Sequence, residues 1–296
     1  MRRPLPGASK IGEVNIAFLG TGLMGSGFVR RLGALGHTVQ VWNRSPDKAR
    51  ALQGGRVRAF DHAAEAVAGV DRIHLSLADD ASVDAVLEPL ADALPAGAWI
   101  VDHTTTAVTP TAQRIARWVA RGRVFVHAPV FMGPANAAEG SGLMLLSGAA
   151  VHRDTLLPDL QALTGKVVWL GEQPERAAAF KLFGNLTILG LLAVLADVNR
   201  LAHAVGIPTH EAFALFEHFN PGATLPQRAA RVEAQPHAAP SFELAMARKD
   251  VRLMMEEAER GGVPLYVTPA MAALFDAGLA RGEGALDVAA AARMPV

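Results

Sequence analysis

Cysteine is missing from this 296-residue chain, which excludes a disulfide framework, a thiolate metal site and a thiol nucleophile. An excess of either charge is missing as well, since 28 basic side chains balance 28 acidic ones. No broad field therefore draws nucleic acid or an anionic membrane to the surface, and an anionic partner has to be gripped locally. Long apolar runs are few: the longest uncharged one, Leu182 to Ala196, covers fifteen residues between Lys181 and Asp197. It falls short of the roughly 18 residues a membrane span needs and is expected to be a buried core helix, so neither membrane nor nucleic acid is expected as a partner. The basic start Met1-Arg2-Arg3-Pro4-Leu5-Pro6-Gly7 is followed by no apolar signal-peptide core, so residues 1–13 read as a loose tail and the protein as cytoplasmic. Ten histidines include no close metal spacing, His203, His210 and His218 being seven and eight apart, and no metal is expected. No Gly-x-Ser-x-Gly elbow occurs, which argues against a hydrolase.

What the chain does contain is alternation. Short β-branched apolar runs at Val14–Leu19, Thr38–Trp42, Arg72–Leu77, Trp99–Val101, Val124–His127, Leu143–Ser147 and Val167–Leu170 are separated by Ala-rich stretches of helical length. Such alternation predicts an α/β domain with a doubly wound parallel sheet covered on both faces. Ser45 before Pro46 and Thr109 before Pro110 read as helix starts. After Gly171 the strand signal stops. Residues 175–205 read as one long helix, apolar nearly all round, that other protein must wrap. The stretch 220–240, with Pro221, Pro226, Pro236 and Pro240, reads as a loop. Residues 242–260 read as an amphipathic helix with Ala247, Val251, Met254 and Ala258 on one face, and Thr268-Pro269 opens another. The expected organisation is a nucleotide-binding domain over 14–174, then an interdomain helix and an all-helical C-terminal domain over 175–296. A homodimer or homotetramer would complete its core.

The sequence Gly20-Thr21-Gly22-Leu23-Met24-Gly25 directly follows a predicted strand and opens a predicted helix. Gly20 permits the tight turn, Gly22 lets the backbone approach a pyrophosphate, and Gly25 lets helix and sheet pack closely. The helix N-terminus, with Leu23 and Met24, then offers free N–H groups to the anion. Where an NAD site places a carboxylate at the end of the second strand, this chain has Asn43-Arg44-Ser45. A guanidinium there pairs with a 2′-phosphate that a carboxylate would repel, which favours NADP. Lys181 and Asn185, four apart on the long helix, share a face. Two readings stand for this lysine: a desolvated group whose lowered pKa suits it to exchange protons near neutral pH, or a side chain that snorkels to solvent.

Together these features resemble the β-hydroxyacid dehydrogenase family, the relatives of 3-hydroxyisobutyrate dehydrogenase. The resemblance rests on the glycine turn with Gly36-His37 and Trp42-Asn43-Arg44, on Asp102-His103-Thr104-Thr105, on Ala128-Pro129-Val130, on Lys181 with Asn185, and on Lys249-Asp250. It implies a Rossmann-type domain and an NADP-dependent dehydrogenase or reductase that moves hydride between nicotinamide and a hydroxy acid or semialdehyde. It further implies that Lys181 is the catalytic acid/base, that Asn185 and Thr104 stand beside it, and that Leu77, Thr105 and Lys249 touch the cofactor. The family's substrate loop, usually Asp-Ala-Pro-Val-Ser-Gly-Gly, here reads His127-Ala128-Pro129-Val130-Phe131-Met132-Gly133. Phe131, Met132 and Gly133 should thus make the pocket more apolar and leave a weakened anion grip to the Gly133 N–H and its neighbours. Imine reductases resemble the same architecture, though they generally lack the lysine, and a non-catalytic NADP-binding scaffold is the third possibility.

Overall fold

A computed structural model describes residues 13–234 and 237–293, so the predicted tail over 1–12 and Pro236 lie outside the described residues. The first apolar run forms β1 (Asn15–Leu19) and ends in the glycine turn; α1 (Leu23–Ala34) and β2 (Thr38–Trp42) follow. Next come α2 (Pro46–Arg50), β3 (Val57–Ala59), α3 (Ala63–Ala66), β4 (Arg72–Leu75), α4 (Asp80–Leu87), β5 (Trp99–Asp102), α5 (Val108–Ala120) and β6 (Phe125–His127). The six strands form one sheet in the order β3-β2-β1-β4-β5-β6, with every neighbouring pair parallel. Both faces are covered, as the alternation required. Ile16 and Phe18 project into one core with Phe28, Leu32 and Leu160, while Ala17 and Leu19 project into the other with Leu87, Ile115 and Trp118. A side chain as completely buried as Phe18 contributes about 1.5–3 kcal/mol through removal from water, and successive residues of a strand serve opposite cores because the pleat has period two.

The chain then leaves this sheet. A two-residue strand, β7 (Val130–Phe131), is followed by α6 (Pro134–Glu139), β8 (Leu143–Leu146), α7 (Ala150–Thr164) and β9 (Lys166–Trp169). They make a separate sheet in the order β7-β8-β9, with β7 antiparallel to β8. The sequence reading missed β3 and β7, both too short to show a period, and placed β8 and β9 in the main sheet. The crossing of α1 and α6 is tight: a Cβ at Gly27 would lie 2.8 Å from both Ala137 Cβ and the Pro134 carbonyl.

One predicted helix start is corrected. Helix α5 begins at Val108, with Ala107 at its N-cap and Thr109 already inside the first turn. The Ala107 N–H is satisfied by Asp80 Oδ2 at 2.8 Å, and the fully buried Arg114 guanidinium binds Asp80 and Asp84 at 2.9 and 2.8 Å. A carboxylate from a neighbouring helix thus anchors the N-cap residue itself, and no side chain makes the cap bond expected of a local hydroxyl. At α2 the N-cap is Ser45, followed by proline as expected, although its hydroxyl makes no cap bond.

Helix α8 (Arg176–Ala204) begins with Ala177 N–H donating to Ser147 Oγ, which itself donates to the Pro174 carbonyl. One compact unit of the molecule ends at Asn185 and the other starts at Leu186, both within this helix. The second unit contains the rest of α8, then α9 (Thr209–His218), α10 (Leu225–Glu233), α11 (Leu244–Arg260) and α12 (Thr268–Ala280). Its brace is Asp197, whose buried carboxylate accepts from the Tyr266, Val267 and Thr268 N–H groups and from the Thr268 hydroxyl at 2.7–2.9 Å, capping the start of α12.

Three expectations about this unit change. The presumed loop 220–240 contains α10 and a 3-10 turn at Pro221–Thr224, because Pro221 and Pro226 fall in first turns, where no N–H is required. Along α11, Ala247, Val251 and Ala258 are buried but Met254 is exposed. Most consequentially, α8 is not buried within its own chain: Leu186, Leu189 and Leu192 are 74, 62 and 58% exposed. An 18-residue stretch of this helix has a mean hydropathy of 1.9, long and apolar enough to cross a membrane by length and composition.

Candidate active site

The strand order reverses between β1 and β4, and the crevice at their carboxyl ends is where an open parallel sheet receives a ligand. Gly20 makes that crevice possible. Its φ is +98°, a conformation that side chains resist, and a Cβ would fall 2.3 Å from the Ser76 carbonyl. Gly25 is equally constrained, with a Cβ 1.9 Å from the Gly20 carbonyl, so the first turn of α1 lies directly on the turn. Around Gly22, by contrast, a Cβ would meet nothing within 4 Å, and no side chain caps α1. Open space in front of uncapped N–H groups at a helix N-terminus fits a pyrophosphate. Asn43 holds the turn from the side, accepting from the Thr21 N–H at 3.0 Å and donating to the Ser45 carbonyl at 3.0 Å. Beyond it Arg44 and Ser45 are exposed, and Leu23, 79% exposed, stands at the head of α1.

Within the same unit a cavity of about 210 Å³ is lined by Met24, Ser76, Leu77, Ala78, His103, Thr104, Thr105, Val130, Met132 and Lys181. It joins the nucleotide turn to the predicted chemistry. Lys181 is 9% exposed and donates from Nζ to the Val130 carbonyl at 2.7 Å, while the Phe131 ring centroid lies 4.2 Å from the same nitrogen. Desolvation holds its pKa below the ordinary lysine value. Thr104 Oγ1 accepts from the Leu77 N–H at 3.0 Å, and its own N–H donates to Asp102 Oδ1 at 2.9 Å. Its hydroxyl proton remains available to the cavity.

Other expected residues fall elsewhere. Asn185, one turn beyond Lys181, is half-buried but does not line the cavity. The Gly133 N–H is already engaged by Asn136 Oδ1 at 3.0 Å, so Gly133 itself does not offer its share of the expected anion grip. Lys249 belongs to the second unit, where it is exposed and pairs with Asp250 at 2.9 Å.

Sequence reasoning missed three histidines beneath the site. His103 Nδ1 lies 2.7 Å from the Ala128 carbonyl and so carries the proton, which makes Nε2 the acceptor for His74 Nδ1–H at 2.9 Å. The chain ends at His74 Nε2, which has no partner among the described residues. His127 donates from Nε2 to the Thr104 carbonyl at 2.9 Å. All three are buried and burial lowers their pKa values, that of His103 to about 4. A neutral, hydrogen-bonded floor therefore fixes the carbonyls of Thr104 and Ala128 under the cavity. The signal was present in Asp102-His103-Thr104 and in His127, but only strand pairing of Asp102 with His127 shows that these segments adjoin.

A glycine turn at the switch point, a cavity beside it and a buried lysine define a nucleotide-dependent oxidoreductase. Comparison with known proteins makes this specific. Residues 15–171 match the NAD binding domain of 6-phosphogluconate dehydrogenase, and residues 176–295 match the NAD-binding domain of NADP-dependent 3-hydroxyisobutyrate dehydrogenase. The chain belongs to the β-hydroxyacid dehydrogenase family and is an NAD(P)-dependent oxidoreductase. An uncharacterized oxidoreductase of Bacillus subtilis is 26% identical over 94% of this chain and 98% of its own. The 3-sulfolactaldehyde reductase of Escherichia coli is 25% identical over 92% of each. Among solved structures, the imine reductase of Myxococcus stipitatus in complex with NADP+ superposes with a TM-score of 0.88 at 21% identity, over 94% of this chain and 99% of that one. A variant of the same enzyme is in complex with NAD+. At that identity the likeness is one of fold.

Proposed function

We propose that this protein is an NADP-dependent reductase or dehydrogenase that interconverts a carbonyl compound of the semialdehyde type and its hydroxy acid, with Lys181 as general acid/base. The observation that carries the reading is the lysine: an ammonium buried on a cavity wall between the nucleotide turn and Thr104 has no packing reason to be there. The nicotinamide supplies hydride when bound, and the protein supplies position and a proton. In reduction Lys181 Nζ gives a proton to the oxygen that gains charge, and the resulting amine keeps its hydrogen bond to Val130 because two N–H groups remain. The Thr104 hydroxyl is the second donor facing that oxygen. Burial is what suits Lys181 to the task, because it weakens the hold on the proton.

NADP is preferred over NAD because Arg44 and Ser45, not a carboxylate, follow β2. A second copy of the chain covers the exposed leucines of α8, in a homodimer or homotetramer, and a monomer in sedimentation at micromolar concentration would refute this. A second reading, reduction of a carbon–nitrogen double bond, is favoured by the apolar Phe131 and Met132 beside the lysine.

One assay tests the function: NADPH oxidation against semialdehydes, keto acids and cyclic imines, with wild type beside Lys181→Ala. Turnover of a semialdehyde that falls about 10²–10⁴-fold in the variant, with NADPH affinity retained, is the expected result. Turnover of imines alone selects the second reading. Tight NADPH binding without any turnover would make the protein a binding scaffold and overturn both.

A further inference from the structure

Lys181 is held from two directions by a strand of two residues. Val130 accepts its proton donor at 2.7 Å, and Phe131, the next residue of β7, turns its ring to the same nitrogen at 4.2 Å. The ring stands there because of a gap on the lysine's own helix. A Cβ added at Gly184 would lie 2.2 Å from Phe131 Cζ and 2.6 Å from Cε1. Gly184 follows Lys181 by three residues, so both are on one face of α8. Glycine is a poor residue for a helix interior, and at Gly184 its missing side chain is filled by the tip of the ring.

We propose that Phe131, seated in the notch at Gly184, is a positioning residue that holds the Lys181 ammonium at the cavity wall for proton delivery. This rests on the reading of Lys181 as proton donor. The face of an aromatic ring carries negative electrostatic potential and attracts a cation, as does a carbonyl oxygen. Strand β7 thereby offsets part of what burial removes, so the lysine stays protonated while shielded from water. The segment after β4 contributes Ser76, Leu77 and Ala78, the start of α1 contributes Met24, and the segment after β5 contributes Thr104, Thr105 and His103, the one other titratable side chain on this wall. Among the described residues no carboxylate lines it.

The test needs no substrate. The chain has five lysines, few enough for a titration of ¹³Cε-labelled lysine by NMR, with Lys181→Arg identifying the resonance. Protons above a ring face shift upfield, so the Lys181 Hε signals of the wild type are expected to be displaced upfield, and to lose that displacement in both Phe131→Leu and Gly184→Ala. Leucine keeps the site filled but lacks the ring, so Phe131→Leu is expected to lower the Lys181 titration midpoint by about half to one pH unit. Retained upfield signals in Gly184→Ala would show that the notch does not seat the ring. An unmoved midpoint in Phe131→Leu would show that the ring does not act on the ammonium, and either result overturns the inference. The reading of Lys181 as acid/base fails separately, if Lys181→Ala keeps full turnover.

Discussion

The three buried histidines make the first unit sensitive to mild acid, by an amount the hydrogen-bond chain allows to be worked out. In the unfolded chain each histidine binds a proton near pH 6.5. In the folded protein His103 does so only near pH 4, and His74 well below its ordinary value, because burial penalises the imidazolium and because His103 Nε2 must stay an acceptor for His74. The unfolded state therefore binds more protons between these limits. Stability is complete above pH 6.5 and is lost as pH falls through the window toward 4. One unit below 6.5, each such histidine costs on the order of 1 kcal/mol, so His74 and His103 together remove roughly 2–3 kcal/mol at pH 5.5. His127 acts in the same direction. Against a typical total of about 5–15 kcal/mol this is a large fraction. Asp102, whose pKa burial raises, works the opposite way. All four tryptophans, Trp42, Trp99, Trp118 and Trp169, lie in the first unit, so urea unfolding followed by tryptophan fluorescence reports on it. Phe in place of His74 keeps a ring in the stack with Phe18 and removes one titrating group, and the pH slope of His74→Phe is expected to fall by about one proton's worth. A stability that stays flat from pH 7.5 to 5.5, or a slope unchanged in the variant, would refute the reasoning.

Other perturbations separate the parts of the molecule. Arg44→Ala is expected to weaken NADP about 10-fold or more and NAD hardly at all, from loss of a charge-assisted pair with the 2′-phosphate; equal losses in fluorescence titrations of the two would remove the basis for cofactor choice. Gly25→Ala forces a Cβ to within 1.9 Å of the Gly20 carbonyl, and is expected to abolish the rise in melting temperature that NADPH gives the wild type. Asp197→Ala deprives three N–H groups at the start of α12 of their acceptor. It is expected to cost about 2–4 kcal/mol, visible as loss of helical circular dichroism at lower urea.

What the sequence made legible was whatever repeats or recurs locally. The alternating runs gave the parallel sheet, and Gly20, Gly22 and Gly25 marked the turn because each glycine answers a steric demand of that turn. Lys181 was conspicuous because a charge inside Ala179-Phe180-Lys181-Leu182-Phe183 breaks an apolar pattern. Helix α10 was hidden by proline, a residue that ends helices in their interiors but suits their first turns, and the two outcomes look alike in a sequence. The histidine floor was hidden for another reason: His74, His103 and His127 are far apart along the chain and meet only through the register of β4, β5 and β6. The engagement of Gly133 by Asn136 could not be read at all, since a backbone donor carries no mark of its partner.

The closeness of α1 and α6 at Gly27 bears on how the site responds to its ligands. With no side chain between them the two helices cannot slide without collision, and a densely packed contact transmits displacement instead of absorbing it. The loop that leads from Phe131 to Pro134 is therefore pinned against α1 by a contact with no room for a methyl group.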